Sequence, residues 1–261
     1  MHSEIQESPL LFPDERLDTV NENLRLIQKR NGLTFGTDAY LLAAFLRPSP
    51  RAKAVDLGSG TGIIPLLLLA KGKVARVTAV EIQPTFAELI SRNAALNGYA
   101  DRMFPLCADL RTLNAAALGG EADVVLANPP YMRCDSGKRN IHDEKYIARH
   151  EVCGTVGDFC GAAGRLLRYG GRFACVWRPD RLSELMQGLQ SASLEPKRML
   201  FVHGDLSSEP CAVLVEAVKG GAPSLRIGAP LILYEPLSEG QVSRVLTPRA
   251  KKIYETGSIE D

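Results

Sequence analysis

From about residue 53 onward, short apolar runs of β type alternate with runs of helical period, and this rhythm limits the fold more than any other feature of the chain. "KAVDL", "RVTAVE", "MFPLCAD", "ADVVLAN" and "RFACVWR" read as strands. Helices are expected between them, from about Ile63, over "PTFAELISRNAALNG" and over "VGDFCGAAGRLLRYGG", with "RPDRLSELMQGLQSAS" after the fifth strand. Pro65 suits a first helical turn, Pro84 opens the next helix and Gly98 closes it. Near-continuous apolar strands joined by helices imply a parallel sheet covered on both faces. The last two strands, "KRMLFVH" and "PCAVLVEAVKGG", have only "GDLSSE" between them. That is too short for a crossover helix, so they pair antiparallel. The expectation is an α/β chain with a seven-stranded, mostly parallel sheet ending in an antiparallel hairpin.

Composition bounds the rest. The chain has 261 residues, of which 45% are hydrophobic, enough for a sizeable core. Net charge is only +1, so any surface for a polyanion must be a local patch. None of the six cysteines (Cys107, Cys134, Cys153, Cys160, Cys175, Cys211) forms a C-x-x-C pair, and several sit in apolar runs, as small core residues of a reducing compartment do. His142, His150 and Cys153 match no zinc spacing, and no metal is expected. The polar, acidic N-terminus does not read as a signal peptide, and no apolar stretch is long enough to span a bilayer. The cytoplasm is the default compartment, and no membrane partner is expected.

The chemistry gathers at the expected strand ends. "DLGSGTG" puts Asp56, Gly58 and Gly60 just after strand one, in a turn whose bare backbone a ligand can approach. The spacing is not G-x-G-x-x-G, which makes a dinucleotide such as NAD the weaker reading. Asp56 suits an ammonium, directly or through water. Glu81, ending strand two, can accept both hydroxyls of a ribose. Asp109, ending strand three, can accept from the exocyclic amino group of adenine. Amino acid, sugar and base are the three parts of S-adenosylmethionine (AdoMet), and the sheet outline is that of a class I AdoMet-dependent methyltransferase, a Rossmann-like fold.

Strand four ends in Asn128, Pro129, Pro130 and Tyr131. Two acceptors, the Asn128 side-chain oxygen and the Pro129 carbonyl, are suited to grip both N–H groups of a planar amine and make its lone pair available. Proline fixes φ and donates nothing, so these carbonyls are aimed. Tyr131 offers a stacking surface. Such a site works by positioning and electrostatics and needs no strong general base. A bare N-P-P-Y is also compatible with a stiff strand exit; beside an AdoMet constellation the catalytic reading is preferred.

The sequence resembles the tRNA(1)(Val) adenine-37 N6-methyltransferases. The matching stretches are "ERLD", "GLTFGTDAYLLAAFL", "VDLGSGTGIIPLLL", "VEIQ", "NPPYM", "IARHE", "RPDRL", "EPKRMLFVH" and "VLVEAVKGG", spread over residues 14–221. The resemblance implies a tRNA anticodon-loop substrate. It also implies that "GTDA" folds over the methionine end of the cofactor, bringing in Thr37 and Asp38, which on the residues alone read as a helix N-cap.

Residues 132–155 form a long mixed-charge stretch after the catalytic turn. Arg133, Lys138, Arg139 and Arg149 there are candidates for holding an RNA backbone; a solvated loop is the alternative. The basic pieces near the C-terminus are a weaker candidate. With no spare domain for reading DNA sequence, a structured RNA is favoured over DNA. A protein glutamine N5-methyltransferase and an rRNA guanine N2-methyltransferase remain as alternatives, because their amides and amino groups look alike to the same two acceptors. A non-catalytic AdoMet-fold scaffold is the reading from another class. Three regions are expected: an N-terminal arm and cofactor-covering segment over 1–50, the methyltransferase domain over 51–221, and a C-terminal extension over 222–261. Oligomeric state is not legible.

Overall fold

A computed structural model describes residues 11–30, 36–130, 154–236 and 243–259. The expected seven strands are β3 (Lys53–Leu57), β4 (Arg76–Glu81), β5 (Met103–Cys107), β6 (Ala122–Ala127), β7 (Leu167–Trp177), β8 (Leu194–His203) and β9 (Pro210–Lys219). They lie in the order β8-β9-β7-β6-β3-β4-β5. β5, β4, β3, β6 and β7 run parallel, and β9 is antiparallel to both β7 and β8. Pro105 sits in β5, an edge strand, where a missing N–H is tolerated.

Side chains alternate across this sheet with the period-2 rule of a strand. Ala54, Val77, Val124 and Leu126 join one apolar cluster, while Val55, Leu57, Val80 and Val125 join the other. The first cluster is covered by α1 (Thr37–Phe45), α2 (Ile63–Ala70), α3 (Pro84–Leu96) and α6 (Pro248–Thr256). The second is covered by α4 (Val156–Leu166) and α5 (Leu182–Ser191). α2 is apolar on all sides because it is sunk in its layer, with Ile63 through Leu69 all buried.

One helix end and one added hairpin differ from the sequence expectations. The helix expected over "VGDFCGAAGRLLRYGG" begins with a Thr155–Asp158 capping box but stops at Leu166. Leu167 already pairs with Ala122 of β6, and the bulge that follows carries Gly170 at φ +72°. The stretch before α1 holds a hairpin, β1 (Glu15–Asn21) and β2 (Leu24–Lys29), which forms a separate two-stranded sheet against α3. Arg92 of α3 holds it through two bonds to the buried Glu15 carboxylate, at 2.8 and 2.9 Å.

The C-terminal segment adds two-residue strands β10 (Arg226–Ile227) and β11 (Leu231–Ile232), each parallel to β8. α6 follows, capped by the Thr247 hydroxyl with Pro248 in its first turn. Among the described residues no helix is long and apolar enough to cross a membrane.

Candidate functional site

In an open α/β sheet ligands gather where the strand order reverses, beyond the carboxyl ends of the strands. Here that point lies between β3 and β6, since the chain leaves β3 toward β4 on one side and returns as β6 on the other. Leu57 of β3 lies opposite Ala127 of β6, so the glycine-rich turn and the Asn128–Pro129 exit leave the sheet side by side.

Asp56 is buried at the end of β3. Its Oδ2 accepts from the Ser59 hydroxyl at 2.6 Å, while Oδ1 has no partner among the described residues. Burial pushes the carboxyl up to about 7, against the Ser59 hydrogen bond and with the charge of Glu81 adding to the rise. An unmet buried acceptor costs about 1–3 kcal/mol, so this oxygen is built for a donor.

Glu81 fixes the turn from the next strand. Its Oε2 accepts from the Gly60 N–H at 2.9 Å and its Oε1 from the Gln83 N–H at 3.0 Å, and each oxygen keeps a second lone pair. The Gly58 and Ser59 N–H groups both donate to the Val80 carbonyl. Gly60 has φ +56°, and a Cβ placed there meets no described atom within 4 Å, so the backbone faces open space. Gly62 differs. At φ +84° it needs glycine for its backbone conformation, while a Cβ there would stand 2.3 Å from the terminal methyl of the flexible Met103 side chain, which would have to move.

Asp109 lies beyond the end of β5, where Arg111 grips it through both oxygens at 2.6–2.9 Å and holds its carboxyl below the usual range. Asn128 is half-buried, Pro129 buried and Pro130 exposed. Thr37 and Asp38 open α1, but the N-cap is Gly36 and makes no side-chain cap bond. Thr37 instead hydrogen-bonds the Tyr254 phenol of α6. It lines a cavity of about 480 Å³ shared with Asn21, Tyr40, Lys251 and Tyr254. Tyr131, Arg133, Lys138, Arg139 and Arg149 lie outside the described residues. No cluster of metal ligands occurs among the described residues, and His142, His150 and Cys153 lie outside them.

Ser59 and Tyr254 were not singled out in the sequence. For Ser59 a signal existed, a hydroxyl three residues after Asp56 in the same turn. Tyr254 reaches Thr37 only through tertiary packing.

The family model described as methyltransferase small domain matches residues 30–189. A protein of Porphyromonas gingivalis named tRNA1(Val) (adenine(37)-N6)-methyltransferase is 30% identical over 190 residues, covering 69% of this chain and 72% of its own length. One of the same name from Phocaeicola vulgatus is 29% identical over 190 residues, covering 71% and 77%. Among solved structures, a predicted O-methyltransferase from Agrobacterium tumefaciens superposes with a TM-score of 0.67 at 22% identity, over 86% of this chain and 98% of that one. The tRNA m1G37 methyltransferase of M. jannaschii gives 0.53 at 15% identity, over 80% and 58%. These structural likenesses show the fold.

Proposed function

The chain belongs to the methyltransferase small domain family, and from that premise we propose that it moves a methyl group from AdoMet to N6 of an adenine in a structured RNA, adenine 37 of a tRNA anticodon loop. Relatives named for that reaction cover most of the chain. The observation that carries the reading is the Asn128–Pro129 exit standing beside a buried aspartate whose second oxygen has no partner among the described residues.

The residues present fit the cofactor. Asp56 Oδ1 would accept from its ammonium, Glu81 from its ribose hydroxyls and Asp109 from its adenine amino group. Gly58 and Gly60 would give it bare backbone, and Thr37 and Asp38 would close over its methionine end. When bound, AdoMet supplies an electrophilic methyl on a sulfonium.

The other half of the chemistry belongs to the chain. The lone pair of an aromatic amine is delocalised into its ring. The Asn128 side-chain oxygen and the Pro129 carbonyl accept one N–H each, which favours a pyramidal nitrogen with its lone pair directed outward. Pro130 keeps the exit rigid, and Tyr131 would offer a ring for the base to stack on. Arg133, Lys138, Arg139 and Arg149 would hold the backbone of the RNA. In this reading residues 51–221 carry out transfer, residues 1–50 supply the arm and cofactor cover, and residues 222–261 extend the domain.

The test is a pair of tRNA1(Val) transcripts differing only in adenine or guanine at position 37. Labelled methyl should enter the first and not the second. Equal labelling of both overturns the assignment of the acceptor.

A further inference from the structure

Asn93 on α3 and Asn97, four residues on at its C-cap, present their side-chain amides to β2. Asn93 Oδ1 accepts from the Ile27 N–H at 2.7 Å, and its Nδ2 donates to the Ile27 carbonyl at 3.1 Å. Asn97 repeats the pattern on Arg25, at 3.0 and 2.8 Å. The match follows from pitch. Four residues of helix rise about 6 Å and two of strand about 6.6 Å, so amides at i and i+4 fall in step with peptides at i and i+2. Side chains thus take the place of a third strand on the open edge of the hairpin.

Beyond the hairpin the two asparagines diverge. The second donation of Asn97 goes to the Asn93 carbonyl within its own helix. That of Asn93, a fully buried residue, goes to the Thr61 carbonyl at 2.9 Å. Thr61 belongs to the glycine-rich turn. β4 holds the first half of that turn, through Val80 and Glu81; Asn93 holds the second half, at the peptide before left-handed Gly62. One amide group therefore ties the turn to the hairpin with both of its donors in use.

We infer that Asn93 is a positioning residue for cofactor binding, fixing the Thr61–Gly62 peptide and coupling the glycine-rich turn to the β1–β2 hairpin. This rests on the reading of the turn as the AdoMet site. The isosteric variant Asn93→Asp keeps an acceptor for Ile27 and, in this buried place, leaves at most the one O–H of a protonated carboxyl for two carbonyls. Asn97→Asp loosens the hairpin in the same way without touching the turn.

In the full chain, AdoMet affinity is read by calorimetry, KM and kcat by methyl transfer, and backbone order by hydrogen exchange. Asn93→Asp should raise both Kd and KM for AdoMet about tenfold, the scale of one buried hydrogen bond, with kcat at saturating AdoMet within about twofold of the parent. Exchange across residues 58–62 should quicken. Asn97→Asp should lose thermal stability with an unchanged Kd. Equal Kd changes in the two variants overturn the inference and leave Asn93 a docking residue only.

A second measurement needs no variant. Coupling is reciprocal, so saturating AdoMet should slow exchange of the Ile27 N–H, which donates to Asn93, more than that of the Arg25 N–H, which donates to Asn97. Identical rates with and without AdoMet at Ile27 also overturn the inference. A parent protein that binds no AdoMet overturns the functional reading and this one together; binding with an unchanged Kd in Asn93→Asp overturns this one alone.

Discussion

Asp56 and Glu81 end neighbouring parallel strands, and the charge of Glu81, added to burial, keeps the Asp56 carboxyl at about 7. One of the pair is therefore half-protonated near neutrality. A ligand ammonium favours the ionised form, so below pH 7 binding must release a proton from Asp56.

AdoMet affinity should accordingly rise as pH goes from about 6 to 7.5, with proton release at the lower end. Calorimetry in buffers of different ionisation enthalpy reads both. Asp56→Asn should weaken binding and remove the pH dependence between those values. A Kd flat over that range in the parent protein contradicts an ammonium at Asp56.

The hairpin should come loose in acid. Burial works against the charge of Glu15, but Arg92, the Phe12 N–H and Lys29 outweigh it and hold the carboxyl at about 2. A carboxyl whose folded value lies below its ordinary 4.5 contributes stability that is complete above that value and is lost as pH falls toward 2. Glu15→Gln should lower stability by about 3 kcal/mol at pH 7, as breaking one buried pair does, and flatten the loss between pH 4.5 and 2. Denaturant titrations across that interval check both.

Methyl transfer should depend on the Asn128 oxygen more than binding does. In the proposed mechanism Asn128→Ala removes one of two acceptors for the reacting amine, so kcat should fall about 100-fold or more while the Kd of RNA stays within a few-fold. Tyr131→Ala should weaken RNA binding and kcat together. Single-turnover rates and filter binding separate the two effects, and full turnover by Asn128→Ala contradicts the mechanism.

Lys73 closes the other end of α1. Its buried ammonium donates to the Ala43, Ala44 and Leu46 carbonyls at 2.7–2.9 Å, capping the last turn of a helix whose first residues are Thr37 and Asp38. Lys73→Met leaves those carbonyls in apolar surroundings and should cost about 3 kcal/mol, or roughly 6–12 °C in Tm. A calorimetric scan reads it directly.

What the sequence made legible follows from where the signals are local. Apolar runs and "DLGSGTG" announce β3 to β9, the antiparallel pairing of the last two and the place of Asp56 and Glu81, because periodicity and turn chemistry act within a few residues; the order of the strands, with β9 between β7 and β8, is set by tertiary pairing. The hairpin was hidden. β1 is polar and only partly buried along most of its length, and β2 docks on α3 through a pair of asparagines, Asn93 in the helix and Asn97 at its C-cap, that no apolar pattern predicts. α6 lies in a stretch that reads from its charges as a basic tail, although Thr247 followed by Pro248 is a helix start and Ala250 and Ile253 give it a buried face. α4 ends earlier than its sequence suggests because Leu166 and Leu167 continue the helical spacing, and only pairing with Ala122 makes the second of them a strand residue. Of the candidate site, the groups on strand ends were legible, whereas the bond of Asn93 to Thr61 depends on two elements meeting in space.

The most direct measurement of the central claim, that Asn128 and Pro129 beside Asp56 methylate an adenine amino group, is a product analysis. The protein is incubated with labelled AdoMet and an unmodified tRNA pool, and the RNA is digested to nucleosides. The account predicts label in N6-methyladenosine, confined to one tRNA species and absent with Asn128→Ala. Label in N2-methylguanosine, or only in protein, contradicts it.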